Sequence, residues 1–327
     1  MCALAKIPSV ITFHTNNCAP TKFVVSLQAQ MEENKKHKAG FVNIVGSPNV
    51  GKSTLMNAMV GEKLSIVTSK AQTTRHRIHG IVNEDDYQIV FSDTPGVVNA
   101  AYKLHEAMMG FVESSLKDAD ILLFITDIFE NEMNHEATLE TIRKLEKPVI
   151  CLINKIDLGD QDKVVQRAEY WKEKLPNAQV LPVSALHKFN LDQVWQRIIE
   201  LLPESPPYFD KEEISDRPMR FFVSEIIREK IFIHTQKEIP YSSQVEIEEY
   251  KEDERMVHIR AQVIVERNSQ KGIIIGAGGS MLKRIGKESR LDIEKFVGKK
   301  VFLETFVKVD KDWRTSDGKL KKYGYKS

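Results

Sequence analysis

Only three cysteines occur in the chain, Cys2, Cys18 and Cys151, and no two are spaced as metal ligands. That scatter excludes a disulfide framework and a cysteine-based zinc site. Cys151 lies inside the apolar run Val149–Ile153 and reads as a small core residue. No stretch approaches the ~18 consecutive apolar residues of a membrane-spanning helix. The first 37 residues contain no arginine and lack the compact apolar core and cleavage site of a secretory leader. The missing arginine also argues against a mitochondrial presequence. A reducing cytoplasm is therefore the expected compartment. Residues 1–38 are expected to form a disordered extension, to which no function is assigned. Net charge is nearly absent as well, at +1. That value hides an asymmetry, because residues 219–327 carry 23 Lys+Arg against 17 Asp+Glu, leaving the first 218 residues acidic. A basic second half fits an anionic partner such as nucleic acid or acidic lipid, although solvated helix faces produce the same imbalance.

What is present is an ordinary globular composition, 42% hydrophobic and 28% charged. At 327 residues the chain exceeds the roughly 250–300 residues at which single cores stop growing, so two domains are expected. Short apolar runs at Phe41–Val45, Gln88–Phe91, Ile121–Ile125, Val149–Ile153 and Val180–Val183 alternate with helix-length segments. This is the pattern of an α/β fold with a mostly parallel sheet. Arg77–Val82 joins Gln88–Phe91 through the turn Asn83-Glu84-Asp85-Asp86, which predicts a hairpin and a sixth, antiparallel edge strand. Residues 39–203 form this first domain. The Pro-rich, charged stretch 204–218 reads as a linker. Beyond it, a helix from about Met219 to Ile233, two alternating strands, a Gly-rich turn, an amphipathic helix and a last strand over Val301–Val309 predict a smaller α+β domain over 219–310. A tail, 311–327, follows.

Directly after the first strand stands Gly46-Ser47-Pro48-Asn49-Val50-Gly51-Lys52-Ser53, followed by Thr54. Phosphate oxygens need many donors at close range, and small residues let backbone N–H groups curl around the anion. The next helix adds its positive end, Lys52 a point charge for the β- and γ-phosphates, and the Ser53 hydroxyl a ligand for Mg²⁺. Asn154-Lys155-Ile156-Asp157 ends the fourth apolar run. The Asp157 carboxylate can accept from both N1–H and the 2-amino group of guanine, whereas adenine would leave it unpaired. Ser184-Ala185 supplies a small turn facing the base. Asp93-Thr94-Pro95-Gly96 places a carboxylate for Mg²⁺ and a Gly96 N–H for the γ-phosphate. Between these lies Gln72-Thr73-Thr74-Arg75. A threonine there completes Mg²⁺ coordination, and of Thr73 and Thr74 the reading leans to Thr74. GTP or GDP and Mg²⁺ are thus the expected ligands, with Lys52, Thr74 and Gly96 bearing on hydrolysis. Ras-like enzymes carry a water-orienting Gln after the motif glycine; here Val97 occupies that place, so slow turnover is expected. Asn49 is a candidate to hold K⁺ beside the phosphates.

In the second domain, Gly276-Ala277-Gly278-Gly279 lies after an alternating strand and before a helix over Ser280–Phe296. Such a GxxG turn lets the main chain approach the phosphates of single-stranded nucleotides. Ile275 and its apolar neighbours Ile273, Ile274, Met281, Leu282 and Ile285 would floor a groove for bases, beside Lys271, Lys283, Arg284 and Lys287.

The motifs Gly46–Ser53, Gln72–His76, Asp93–Gly96, Asn154–Asp157 and Ser184–Ala185 resemble those of the TrmE–Era–EngA group of translation GTPases. With the GxxG domain and the tail residues Trp313, Gly324 and Tyr325, the chain is similar to the Era branch over roughly residues 39–327. The resemblance implies a P-loop NTPase domain followed by a type II KH domain. It also implies GTP hydrolysis, binding of the 3′ region of 16S rRNA, assistance to 30S subunit assembly, a monomer, and a loose contact with the inner membrane. Era proteins commonly carry a basic residue within the GxxG, where this chain has Ala277 and Gly278. The competing readings are a signalling or cell-cycle GTPase whose second domain binds protein or membrane, and an ATPase.

Overall fold

The computed structural model describes residues 37–130 and 136–326, and the expected N-terminal extension lies almost wholly outside them. The first sheet has strands β1 (Lys38–Val45), β2 (Ile78–Asn83), β3 (Tyr87–Asp93), β4 (Ile121–Asp127), β5 (Val149–Asn154) and β6 (Ala178–Pro182). Their order is β2-β3-β1-β4-β5-β6. All neighbours are parallel except β2 and β3. Helices α1 (Lys52–Val60), α2 (Lys103–Asp118), α3 (Glu136–Arg143) and α4 (Gln161–Lys174) connect the strands, and α5 (Leu191–Leu201) follows β6. Because helices cover both faces, the central strands are buried throughout, as in β4 and β5. This is why they read as unbroken apolar runs rather than alternating ones. The chain passes from one side of β1 to the other between β3 and β4. That reversal opens a crevice beyond the carboxyl ends of the strands, where ligands of open α/β sheets bind.

Residues 204–218 are stitched along the sheet edge rather than hanging free. Ile81 N–H donates to Ile214 O at 2.9 Å. The Gln88 side chain accepts from the backbone N–H groups of Tyr208 (2.7 Å) and Phe209 (3.0 Å). Arg217 donates to Arg77 O at 2.8 Å. The segment thereby satisfies the exposed edge of β2, which would otherwise offer unpaired backbone groups.

The second domain starts with α6 (Met219–His234) and a short helix, α7 (Ile239–Ser242). Strands β7 (Gln244–Glu252), β8 (Met256–Val265) and β9 (Lys300–Val309) form a sheet in that order, β7/β8 antiparallel and β8/β9 parallel. The parallel pair requires a crossover, made here by α8 (Asn268–Ile275), the glycine turn and α9 (Ser280–Val297). Val223, Ile227 and Ile231 of α6 pack with Val257, Ile259 and Ile285 into its core. The tail is also structured. It forms α10 (Asp317–Lys322), and Trp313, Leu320 and Tyr325 join Ile264 of β8 and Leu104 and Met108 of α2 in a further apolar cluster. Among the described residues no helix is long and apolar enough to cross a membrane.

Candidate nucleotide site and nucleic-acid interface

The loop between β1 and α1 has its conformation dictated by glycine at two points. A Cβ on Gly46 would lie 2.0 Å from Ile125 O, so only glycine allows the loop to leave the sheet there. Gly51 has φ 104°, and a Cβ would meet Asn154 Nδ2 at 2.3 Å. Lys52 is buried with Nζ donating to Gly46 O (3.1 Å) and Ser47 O (2.7 Å). Burial pushes its pKa down to about 8, opposed by the nearby carboxylates of Asp93 and Glu130. An ammonium so desolvated is completed by an anion in the loop.

Ser53, Thr74 and Asp93, which are 40 residues apart in sequence at the extremes, converge. Ser53 Oγ donates to Asp93 Oδ2 at 2.6 Å and lies 2.9 Å from Thr74 Oγ1. Thr74 Oγ1 is also 3.3 Å from Asp93 Oδ2. Thr73 turns the other way, its hydroxyl donating to Lys70 O at 2.7 Å and lying 2.9 Å from Thr68 Oγ1. The second oxygen of Asp93, Oδ1, is buried with no hydrogen-bond partner among the described residues. Burial raises the pKa of this carboxyl, the hydrogen bond from Ser53 and the charge of Lys52 opposing the shift. Two hydroxyls around a buried carboxylate with one free oxygen are the hard-oxygen donor set that Mg²⁺ takes. Gly96 packs on the loop so closely that a Cβ would be 2.8 Å from Pro48 Cα, and the next N–H, of Val97, donates to Gly46 O at 3.1 Å. The Val97 side chain is 6% exposed, in an apolar cluster with Val45 and Phe124.

At the other end of a cleft of ≈ 470 Å³, Asp157 accepts from Ser184 Oγ at 2.6 Å. Asn154 pins two loops together. Its amide donates to Val50 O at 2.7 Å and its oxygen accepts from Ala185 N–H at 2.9 Å, locking the phosphate loop to the base loop. Lys155, with φ 61°, donates to Asp127 Oδ2 at 2.7 Å. Asn49 and Thr54 line the cleft, and the Asn49 amide is 3.4 Å from Ser69 O.

The glycine turn of the second domain has three left-handed residues, Gly276 (φ 72°), Gly278 (φ 58°) and Gly279 (φ 80°), with Ala277 exposed between them. Lys283, Arg284 and Lys287 are exposed beside it on α9, and Lys271 is half-buried on α8. The expected apolar floor is only partly present. Ile274 and Ile285 are fully buried in the core, whereas Ile275, Met281 and Leu282 are partly exposed and Ile273 is 49% exposed.

The chain is 42% identical over 292 residues to GTPase Era of Staphylococcus haemolyticus (strain JCSC1435), covering 89% of this chain and 98% of that protein. The chain belongs to the Era family of GTPases. A crystal structure of Era in complex with MgGDPNP and nucleotides 1506–1542 of 16S ribosomal RNA is 40% identical, with TM-score 0.85 over 89% of this chain and all of that one. A crystal structure of an Aquifex aeolicus Era variant bound to GDP·AlF4⁻ has the same identity, coverage and TM-score. Residues 41–155 match the family described as 50S ribosome-binding GTPase, and residues 238–314 match the KH domain. The six-stranded, mostly parallel GTPase sheet and the KH domain expected from the sequence are both present.

Several contacts at the site lie outside the Era-type motifs. Asp127 ends β4, where it holds Lys155 and caps the turn that carries Glu130. Glu130 accepts from Ser47 Oγ and, at 2.7 Å, from Thr126 Oγ1. Burial raises the pKa of Glu130, with the hydrogen bonds from Ser47 and Thr126 opposing. The only sequence signal is a carboxylate three residues past an aspartate at a strand end. Arg75 was read only as part of a motif. Its guanidinium instead enters the KH domain, donating to Ser243 O (2.7 Å), Pro240 O (2.9 Å) and Tyr241 O (3.0 Å).

Proposed function

We propose that this chain is a slow GTP hydrolase whose nucleotide state governs how its KH domain holds RNA, specifically the 3′ region of 16S rRNA during 30S subunit assembly. The observation that carries the reading is the convergence of Ser53, Thr74 and Asp93 beside buried Lys52, on a segment that also docks on the KH domain. The loop N–H groups and Lys52 would bind the β- and γ-phosphates. Mg²⁺, held by Ser53, Thr74 and Asp93, would neutralise charge building on the phosphate oxygens. Lys52 would also stabilise that charge, and Gly96 N–H would touch the γ-phosphate and be released with it. Asp157, held by Ser184, would select guanine.

With Val97 buried, alignment of the attacking water falls to backbone groups of residues 72–97 or to a partner. This supports slow intrinsic turnover. Asn49 beside the cleft is the candidate holder of a K⁺ ion, and equal rates in K⁺ and Na⁺ would remove that role.

In the KH domain, Gly276–Gly279 would clamp the RNA backbone, Lys271, Lys283, Arg284 and Lys287 would supply charge, and Ile275 would face a base. The relative crystallised with nucleotides 1506–1542 of 16S ribosomal RNA supports this assignment. The cytoplasm is the compartment that goes with these partners, a monomer the working state, and a peripheral inner-membrane contact a further family expectation to be tested with anionic vesicles. The deciding experiment measures affinity for the 16S 3′ fragment with GDP and with a non-hydrolysable GTP analogue. A clear difference is expected, and equal affinities would end the gating reading. Gly279→Asp should abolish RNA binding while leaving GDP affinity unchanged; RNA binding that survived it would favour a protein- or membrane-binding second domain.

A further inference from the structure

Beside the phosphate loop stands a carboxylate that the nucleotide motifs do not use. Glu130 is held at both oxygens by neutral hydroxyls, Ser47 Oγ at Oε1 and Thr126 Oγ1 at Oε2, the latter at 2.7 Å. Its backbone N–H donates to Asp127 Oδ1 at 3.0 Å, and Asp127 Oδ2 in turn accepts from Lys155 at 2.7 Å. A continuous chain therefore runs from the base-recognition loop through Asp127 and Glu130 to the second residue of the phosphate loop. Glu130 also borders a cavity of ≈ 470 Å³ between the loop and Val97, Val98 and Asn99.

This carboxylate acts on the loop in two opposing ways. As an acceptor it fixes Ser47, whose carbonyl takes a hydrogen bond from Lys52. As an anion it attracts Lys52 and would repel a polyphosphate bound in the loop. Hydroxyl donors do not neutralise it, and in a partly buried site such a charge is weakly screened. We propose that Glu130 is a positioning residue that also sets the rate of nucleotide release: it holds the phosphate loop in shape while its charge weakens the grip on phosphate, so that GDP leaves without an exchange partner. The inference rests on the guanine-nucleotide site proposed above.

The two roles separate by substitution. Glu130→Gln keeps an oxygen acceptor for Ser47 and removes the charge; Glu130→Ala removes both. Release of a fluorescent GDP, chased with excess unlabelled GDP from the full chain, is the readout. The expectation is several-fold slower release and lower Kd for Glu130→Gln, but faster release and higher Kd for Glu130→Ala, with both variants melting cooperatively. A purely structural role predicts release from Glu130→Gln close to the parent's and faster release only from Glu130→Ala, so unchanged or faster release from Glu130→Gln overturns the proposal. Failure of the unsubstituted chain to bind GDP at all would instead overturn the nucleotide-site reading.

Discussion

Arg228 of α6 donates through Nη2 to the carbonyl oxygen of Thr73 at 2.6 Å, one residue before Thr74, whose hydroxyl stands 2.9 Å from Ser53. Adjacent residues thus answer to two masters, the KH helix and the phosphate-side cluster. The attachment is broad. Lys63 pairs with Glu229 at 2.7 Å, Val67 N–H donates to Glu229 Oε1 at 3.2 Å, and Lys70 donates to the carbonyls of Phe232 and Thr235. A displacement of Thr74 when the γ-phosphate leaves must either break these bonds or move α6.

Arg228 therefore offers a way to cut the coupling. It also forms a buried ion pair with Glu225, so Arg228→Ala leaves that carboxylate uncompensated and should cost about 3–5 kcal/mol of stability. Arg228→Lys keeps the charge but not the planar fork. In that variant the ratio of RNA affinities between the GTP-analogue and GDP states should fall toward one, as read by filter binding. An unchanged ratio would place the coupling elsewhere.

Restoring a glutamine after the motif glycine should not make a fast enzyme. Val97 packs among apolar neighbours such as Val45 and Phe124, so Val97→Gln gives up that packing and desolvates an amide, at a cost of roughly 1–3 kcal/mol. Single-turnover hydrolysis is expected to stay within a few-fold of the parent, with a lowered melting temperature. A large acceleration would mean that residue 97 leaves its pocket when GTP binds.

Base selection should reverse at Asp157. Asp157→Asn replaces an acceptor pair with one acceptor and one donor, and the loss of charged hydrogen bonds to guanine is worth about 1.5–3 kcal/mol. Competition binding should show weaker GTP binding. A nucleotide with a carbonyl in place of the 2-amino group should gain relative to GTP, because the new amide can donate to it.

Acid should weaken the seam between the domains through His76. Its ring stacks on Tyr325 with centroids 4.3 Å apart. Burial pushes its pKa down to about 3 from 6.5, with Glu225 opposing and Arg228, Arg217 and Arg75 adding to the shift. The folded state therefore refuses a proton that the unfolded chain accepts. Stability from this group is complete above 6.5 and is lost as pH falls from there toward about 3. Denaturant melts across that range should show a shallower slope in His76→Phe than in the parent.

The nucleotide chemistry was legible because phosphate and guanine recognition use contiguous residues at strand ends, each with a local reason for its identity. Sequence alone left Thr73 and Thr74 open, since both can reach an ion in an extended loop. Only the folded arrangement turns Thr74 toward Asp93 and Thr73 toward Lys70. Arg75 left no local trace of its partners, which lie 165 to 168 residues away. Ile274 and Ile285 were misread as groove floor because helical periodicity marks an apolar face without saying whether protein or ligand covers it. The tail, 311–327, carries no element pattern of its own, yet a few aromatic residues at Trp313, Tyr323 and Tyr325 suffice to seat it.

The stitching of residues 204–218 onto β2 also fixes the leash on which the KH domain turns. A free linker of that length would let the domain wander over tens of ångströms. Here the last backbone anchor is at Ile214, and the side-chain bonds of Asp216 and Arg217 extend it to the threshold of α6. The pivot is thus a short stretch around Pro218. A KH domain released from Thr73 would therefore turn about that stretch and stay close enough to be recaptured, as in any tethered pair with a high effective concentration.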